Sequence, residues 1–336
     1  MKKTMKYNMQ LASDANLSEG EFINTKLNNE ATKLSVSNVK EFISDLERLK
    51  ETKSITRNQF AVSVQEGSYT NQYLNGYKEI NISSDAGLVL NPRALDIRIF
   101  YRSWNAFFYV HEDKAGKTIK SFQVYDKYGT SVHKVFLIDR TNVDYFEMMI
   151  DKYKDNDQHP YLFQKKEITT NDDSKAIEFN SEIDKAWREM KEVHDFYILM
   201  RRFKLTRQQL FNSVSDDLAY KVDNDSIQKI LSLAKSNNEE LTIFIANTGC
   251  VQIFTGLIGK IFIKGEWLNV FNEKNKIHID YENIYESWVV KKPGEFGFVH
   301  SLEVFSESGE QIIQIYGQRN EGEDERESWR RLVKKL

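Results

Sequence analysis

Ser121-Phe122-Gln123-Val124-Tyr125-Asp126-Lys127-Tyr128-Gly129 returns as Ser301-Leu302-Glu303-Val304-Phe305-Ser306-Glu307-Ser308-Gly309, an offset of 180 residues that keeps the serine, the valine, the aromatic ring and the glycine in step. Both stretches are apolar and aromatic and run into a turn, Tyr128-Gly129 or Ser308-Gly309, as a strand entering a tight reversal does. Further matches lie on either side. Asn16-Leu17-Ser18-x-x-Glu21 resembles Lys204-Leu205-Thr206-x-x-Gln209 at an offset of 188, and each reads as a capping box that starts a helix. Asn58-x-x-x-Val62-x-x-x-x-Gly67 recurs as Asn247-x-x-x-Val251-x-x-x-x-Gly256 at an offset of 189. Leu90-Asn91 recurs as Phe271-Asn272 and Ser103-Trp104 as Ser287-Trp288. Matches in one order, with offsets shifted only by small deletions, specify a tandem duplication.

Each copy reads as short helices followed by strands. Helices are expected at 17–28 and 37–50 in the first copy and at 205–220 and 225–235 in the second, with closing helices at 141–154 and 324–335. Strands are expected at 59–65, 86–90, 95–101, 105–111, 119–125 and 132–138, then at 241–247, 250–254, 258–264, 266–271, 276–280, 286–291, 298–305 and 311–316. Consecutive strands joined by short turns, among them Asn75-Gly76, imply antiparallel sheets, so the class is α+β, with helices, a large antiparallel sheet and a terminal helix in each copy. The expected domains are 1–165 and 181–336, joined by a polar linker at 166–180. A longer helix at 181–203 opens the second copy and has no counterpart in the first.

Composition narrows the function. At 336 residues, 40% hydrophobic and 29% charged, the chain has ordinary globular content and a length that buries a substantial core. The start, Met1-Lys2-Lys3-Thr4-Met5-Lys6-Tyr7-Asn8, has basic residues but no apolar run behind them, and no later stretch is long enough to span a bilayer. A cytoplasmic protein without membrane insertion is therefore expected, and the sequon Asn81-Ile82-Ser83 reads as a chance match. A single cysteine, Cys250, excludes an internal disulfide and reads as a buried small hydrophobe. With 47 Lys and Arg against 50 Asp and Glu, the net charge of −3 offers no general attraction to nucleic acid.

On the expected helix 181–203, Trp187, Met190, His194 and Tyr197 recur at spacings of 3, 4 and 3, which places them on one face. The plainer reading of His194 is a core histidine bonded to a neighbour. The sharper one is a metal ligand on a rigid helix. His111, His133, His159, His278 and His300 stand alone, without the spacing of a helical zinc site, and nucleotide-binding glycine motifs and hydrolase elbows are absent.

Five long motifs bear on this choice: Asn91-Pro92-Arg93-Ala94-Leu95-Asp96-Ile97-Arg98-Ile99-Phe100, Trp187-Arg188-x-Met190-x-x-Val193-His194-x-Phe196, Leu205-Thr206-Arg207-Gln208-Gln209, Gly249-Cys250-Val251-Gln252-Ile253-Phe254-Thr255-Gly256 and Tyr316-Gly317-Gln318-Arg319-x-Glu321-Gly322-Glu323. Together they resemble the haemin-degrading HemS/HmuS/ChuS family over nearly the whole chain. The resemblance implies that His194 is the axial ligand of haem iron and that Arg98 lies on the distal face, donating hydrogen bonds there rather than transferring protons. Without it, Arg98 reads as a strand residue paired with Asp96 or a neighbour. It further implies that Arg207, Lys292, Tyr316 and Arg319 meet the haem propionates and that Phe100 and Phe244 pack on the porphyrin. Read alone, Lys291-Lys292 before Pro293 is a solvated turn, and the two Phe are core. The implied function is haem degradation for iron release, with an external electron donor, either a reductase or a small reductant, and a haem importer as a possible source. The same pocket also suits a haem carrier that performs no turnover.

Overall fold

The computed structural model describes residues 8–71, 85–114, 116–166, 178–320 and 322–336. The Asn75-Gly76 turn, the Asn81 sequon, Glu321 and most of the 166–180 linker lie outside the described residues. Helices α1 (Asn8–Asp14), α2 (Glu19–Asn24), α3 (Val39–Glu47) and α4 (Val143–Tyr153) belong to the first copy, with strands β1 (Ala31–Leu34), β2 (Glu51–Arg57), β3 (Ala61–Ser68), β4 (Ala86–Val89), β5 (Asp96–Phe100), β6 (Ala106–Lys114), β7 (Lys117–Tyr125) and β8 (Ser131–Phe136). The second copy supplies α5 (Ser181–Arg188), α6 (Asp195–Phe203), α7 (Arg207–Asn212), α8 (Ser226–Ser236) and α9 (Glu327–Val333). Its strands are β9 (Ala219–Val222), β10 (Leu241–Ala246), β11 (Cys250–Gly256), β12 (Lys260–Lys264), β13 (Trp267–Phe271), β14 (Asn275–Asp280), β15 (Glu286–Gly294), β16 (Gly297–Phe305) and β17 (Gln311–Gly317).

The repeated peptide folds alike in both places. β7 meets β8, and β16 meets β17, as antiparallel hairpins whose register slips at Val124/Tyr125 and at Val304/Phe305. The turns close through Gly129 and Gly309 at φ of 76° and 75°, a left-handed conformation that costs a residue with a Cβ. Both capping boxes form, Ser18 with Glu21 and Thr206 with Gln209.

The chain divides into two compact units, and the division does not follow the repeat. One comprises the residues up to Asn58, Val62–Glu167 and Ile245–Phe254; the other comprises Gln59–Ala61, Ile168–Phe244 and Thr255–Leu336. In the first unit the antiparallel order is β1-β6-β7-β8-β2-β3, with β4 and β5 pairing onto the β11 segment. Phe42 of α3 and Phe146 of α4 pack on Phe107 and Phe122 at the centre of its core. In the second unit the orders are β10-β17-β16-β15-β9 and β12-β13-β14, with Trp187, Phe196, Phe211, Trp288 and Phe305 as its aromatic core.

Inside the first unit, residues made equivalent by the duplication touch each other. Asn58 donates to the Ala246 carbonyl at 3.3 Å, and Asn247 donates to the Arg57 carbonyl at 3.0 Å, each asparagine reaching the residue before the other. Gln252 donates to the hydroxyl of Ser63, its counterpart, at 3.1 Å. Burying so many polar groups is tolerable because they are paired. Strand β2 was not expected from the sequence for the same reason: its enclosed face is Thr52, Ser54 and Thr56, the reverse of an apolar-in pattern.

Two expectations need correction. The helix expected at 205–220 stops at Asn212, where the Asn212 and Ser213 side chains turn back onto the Gln208 and Gln209 carbonyls, and β9 follows. The helix expected at 181–203 is two helices. α5 closes with Met190 N–H bonded to the Trp187 carbonyl at 3.2 Å, and the Asp195 carboxylate accepts the Lys191 and Glu192 N–H groups at 2.8 and 3.2 Å, which starts α6 afresh. His194 is thus the residue before a helix rather than part of a continuous buried stripe.

Replacing Asn247 by Ala removes donors to the Arg57 and Val132 carbonyls and the acceptor of the Gly249 and Cys250 N–H groups. Urea denaturation of Asn247→Ala is expected to show a loss of about 2–4 kcal/mol, given roughly 1–3 kcal/mol for a buried polar group left unpaired. His133 gives a second test. Burial lowers its pKa from 6.5 to about 3. Between those values the unfolded chain takes up a proton that the folded chain refuses, so stability present at neutral pH falls as the pH drops through that window. The drop in thermal midpoint between neutral pH and roughly pH 5.5 should be smaller in His133→Gln, which does not titrate there.

Candidate functional site

Within the second unit, the capping box of α7 sets Arg207 at the first helical position, where a cation gains nothing from the helix dipole. Its compensation is Glu303 of β16. That carboxylate is fully enclosed and accepts from Arg207 Nε at 2.9 Å, from Lys292 Nζ of β15, from Ser301 Oγ at 3.1 Å and from Gln311 Nε2 at 2.8 Å. Burial alone pushes Glu303 up, but the two cations outweigh it and hold the carboxyl at about 2. Burial likewise opposes charge on Arg207 and Lys292; the Glu303 field raises Arg207 above its usual value, while Lys292 remains lowered.

Aromatic rings wall this cluster. Arg207 lies over Phe196 and Tyr197 of α6 at 4.7 and 5.6 Å from the ring centroids, and Lys292 over Phe196 at 4.7 Å and Tyr316 at 6.0 Å. Phe244 of β10 meets Tyr316 edge-on at 5.3 Å. Burial, and after it the Glu303 charge, raises the Tyr316 hydroxyl above its ordinary value, so it is a neutral donor. Two cations face one carboxylate, which leaves one positive charge in apolar surroundings. An anionic group on a flat apolar body is the ligand this arrangement suits.

The structure therefore brings together Arg207, Lys292, Tyr316 and Phe244. Lys292 is not in a solvated turn: it is a central residue of β15, opposite Val299 and 2% exposed. Arg319, just after β17, donates instead to the Glu323 carbonyl at 3.4 Å. His194 leads into α6, the helix that carries Phe196 and Tyr197, and its imidazole is 79% exposed with Nδ1 3.6 Å from Glu192. In the first unit Arg98 stands on β5, ion-paired with Asp96 and about one-third exposed, and Phe100 is 41% exposed at the end of that strand rather than in the core. Burial raises the Asp96 carboxyl despite Arg98 beside it.

Glu303 and Gln311 escape sequence reasoning, and Phe196 and Tyr197 are read there only as parts of a motif and of a helix face, with no place in the site. For Glu303 the signal was present: it is the charged residue inside an otherwise apolar strand, where the first copy has Gln123. In the first unit Gln123 bonds to Ser121 and Tyr125. A buried carboxylate there is Glu19, at the position equivalent to Arg207, and its partners are Arg57 and Lys134, the latter equivalent to Gln314. Burial opposes its charge, yet those cations hold it at about 2. Between the copies the helix residue reverses sign, and the charge that meets it comes from Lys134 of β8 in one and from Glu303 of β16 in the other.

Comparison with known proteins gives concordant matches. Residues 16–153 and 204–336 each match the model of the haemin-degrading HemS/ChuX domain. The hemin transport protein HmuS of Yersinia pestis is 40% identical over 331 residues, covering 98% of this chain and 93% of that protein, and HemS of Yersinia enterocolitica is 38% identical over the same shares. The heme degrading enzyme ChuS of Escherichia coli O157:H7 superposes with a TM-score of 0.88 at 37% identity, over 98% of this chain and 94% of that one. Holo-PhuS, a heme-binding protein from Pseudomonas aeruginosa, gives 0.88 at 28% identity with the same coverage.

Glu303→Gln leaves Arg207 and Lys292 enclosed without their carboxylate. Denaturation should show a loss of about 3–5 kcal/mol, the cost typical of removing one partner of a buried pair.

Proposed function

The chain belongs to the haemin-degrading HemS/ChuX domain family, and from that premise we propose that it binds haem and degrades it in the cytoplasm, releasing iron. The observation that carries this reading is the surplus cation of the Arg207–Lys292–Glu303 cluster between aromatic rings. A porphyrin with carboxylate side chains has both the charge and the flat apolar body that such a site lacks. Arg207, Lys292, Tyr316 and Arg319 hold the propionates, and Phe244 and Phe100 pack on the macrocycle. The second copy, 181–336, supplies most of this set.

His194 is the iron ligand. Its exposed imidazole precedes a helix that is fixed by the Asp195 cap and the packing of Phe196. Arg98 is the distal donor: its guanidinium offers several N–H groups to a ligand, and Asp96 fixes its direction. Haem itself supplies the redox-active iron and the ring that is broken. Electrons come from an external reductase or small reductant, and haem arrives from an importer. No described helix is long and apolar enough to cross a membrane.

The second reading is a carrier that binds haem and hands it on. The 79% exposure of the His194 side chain favours it, because an open ligand exchanges readily. Loading the protein anaerobically with one equivalent of haemin, then adding reductant and air with catalase present, separates the two. Loss of the Soret band with a defined tetrapyrrole and free iron supports degradation; an intact complex that passes haem to apo-acceptors supports the carrier.

His194→Ala should weaken haem affinity and shift the Soret band in a spectroscopic titration, and an unchanged spectrum and affinity would remove His194 as the ligand. Arg98→Ala should retain binding but degrade haem more slowly or to different products. Turnover at the unaltered rate, to the same products, would take Arg98 out of the reaction.

A further inference from the structure

In the first unit, a chain of hydroxyl, imidazole and thiol groups that haem binding does not use is closed off from water. Ser54 Oγ is 2.7 Å from Tyr69 Oη, Tyr69 Oη is 2.5 Å from His133 Nε2, His133 Nδ1 is 2.9 Å from Thr56 Oγ1, and Thr56 Oγ1 is 3.2 Å from Cys250 Sγ. Cys250 Sγ ends the chain 3.3 Å from the Val132 carbonyl. All five side chains are fully buried.

The direction of the hydrogens follows from counting acceptors. If each group donates toward Val132, then Ser54 gives to Tyr69, Tyr69 to His133 Nε2, His133 Nδ1–H to Thr56, Thr56 to Cys250 and Cys250 to the carbonyl, and every hydrogen has an acceptor. In the reverse direction the Tyr69 hydroxyl donates to Ser54, whose own hydrogen then has no acceptor among the described contacts. The imidazole is therefore the Nδ1–H tautomer with a free Nε2 lone pair aimed at the phenol. Burial keeps that imidazole neutral, raises the phenol above its ordinary value and pushes the thiol up to about 12, so none of these groups ionises by simple proton loss near neutral pH.

A phenol that cannot ionise, but whose proton already points at a neutral base, loses an electron most readily when the proton moves with it. We propose that Tyr69 is a redox-active tyrosine that passes one electron to a high-potential oxidant, of the class that peroxide generates from iron porphyrins, and its proton to His133. The step balances: the Tyr69 O–H bond breaks and an Nε2–H bond forms, the phenol becomes a neutral phenoxyl radical, the imidazole becomes imidazolium held by Thr56, and the oxidant is reduced by one electron. A thiol or ascorbate returns the electron, and the proton moves back. The Trp104 ring, 5.7 Å from that of His133 and 4% exposed, is an intermediate stop for the electron on its way out of the core. The consequence is a function distinct from haem handling, the capture of stray oxidising equivalents inside the protein.

The test is freeze-quench electron paramagnetic resonance of the full-length protein without haem, oxidised by flash-generated tris(bipyridine)ruthenium(III). Ring-deuterated tyrosine identifies a tyrosyl radical by collapse of its hyperfine pattern. Among the described residues, Tyr69 is the tyrosine hydrogen-bonded to an imidazole nitrogen. Isotopic labelling of the histidine ring nitrogens should therefore change the radical's nuclear couplings, a readout that needs no mutant. Tyr69→Phe should lose the long-lived signal, and His133→Gln should shorten its lifetime. A tyrosyl signal without histidine coupling, or one that persists in Tyr69→Phe, overturns the proposal, as does the absence of any tyrosyl radical in the unaltered protein.

Discussion

A carboxylate taken out of water must be met by cations or give up its charge, and in each compact unit one such group joins a helix start to the sheet. Glu303 ties the first turn of α7 to β15, β16 and β17; Glu19 ties α2 to the end of β2 and to β8. In both cases two cations answer one acid, so the cluster keeps a residual positive charge rather than neutrality. Burial makes that charge costly unless something anionic shares it. Stability and the proposed binding thus draw on the same side chains in the second unit, where aromatic rings replace the water that the surplus cation has lost.

The duplication explains why the fold could be read so far from the sequence alone. A glycine at Gly129 and at Gly309, after the same spacing of serine, valine and aromatic ring, marks two hairpins with the same slip of register, because turn chemistry and the alternation of a strand are local properties. What remained hidden depends on contacts remote in sequence or opposed to the usual pattern. Strand β2 encloses Thr52, Ser54 and Thr56, whose partners are supplied from β3, β8 and β11, so its buried face looks exposed. The break before α6 depends on one carboxylate, Asp195, reaching backward, and a helical periodicity gives no hint of it.

The candidate site was legible in part for the same reason. Arg207, Lys292, Tyr316 and Phe244 are implied by likeness to a family; the two cations converge on Glu303, which that likeness does not bring out, with Tyr316 beside Lys292 and Phe244 against Tyr316. A lone acid in a buried strand is an incomplete signal, since its meaning depends on which cations the fold delivers to it. The 3-4-3 spacing puts His194 on or beside a helical stripe and leaves core histidine and ligand both open; it stands exposed at the head of α6, which excludes the core reading.

The reversal of charge between the copies also bears on how such a gene can change. Tandem repeats invite unequal crossing-over and gene conversion, which exchange segments between copies. Transplanting α2 in place of α7 would set Glu19 against Glu303, and transplanting β7 and β8 in place of β16 and β17 would bring Lys134 toward Arg207 and Lys292 with no acid between them. Either hybrid buries like charges together. The two halves, alike in backbone, are therefore no longer interchangeable parts, and that incompatibility guards their divergence against being erased by recombination.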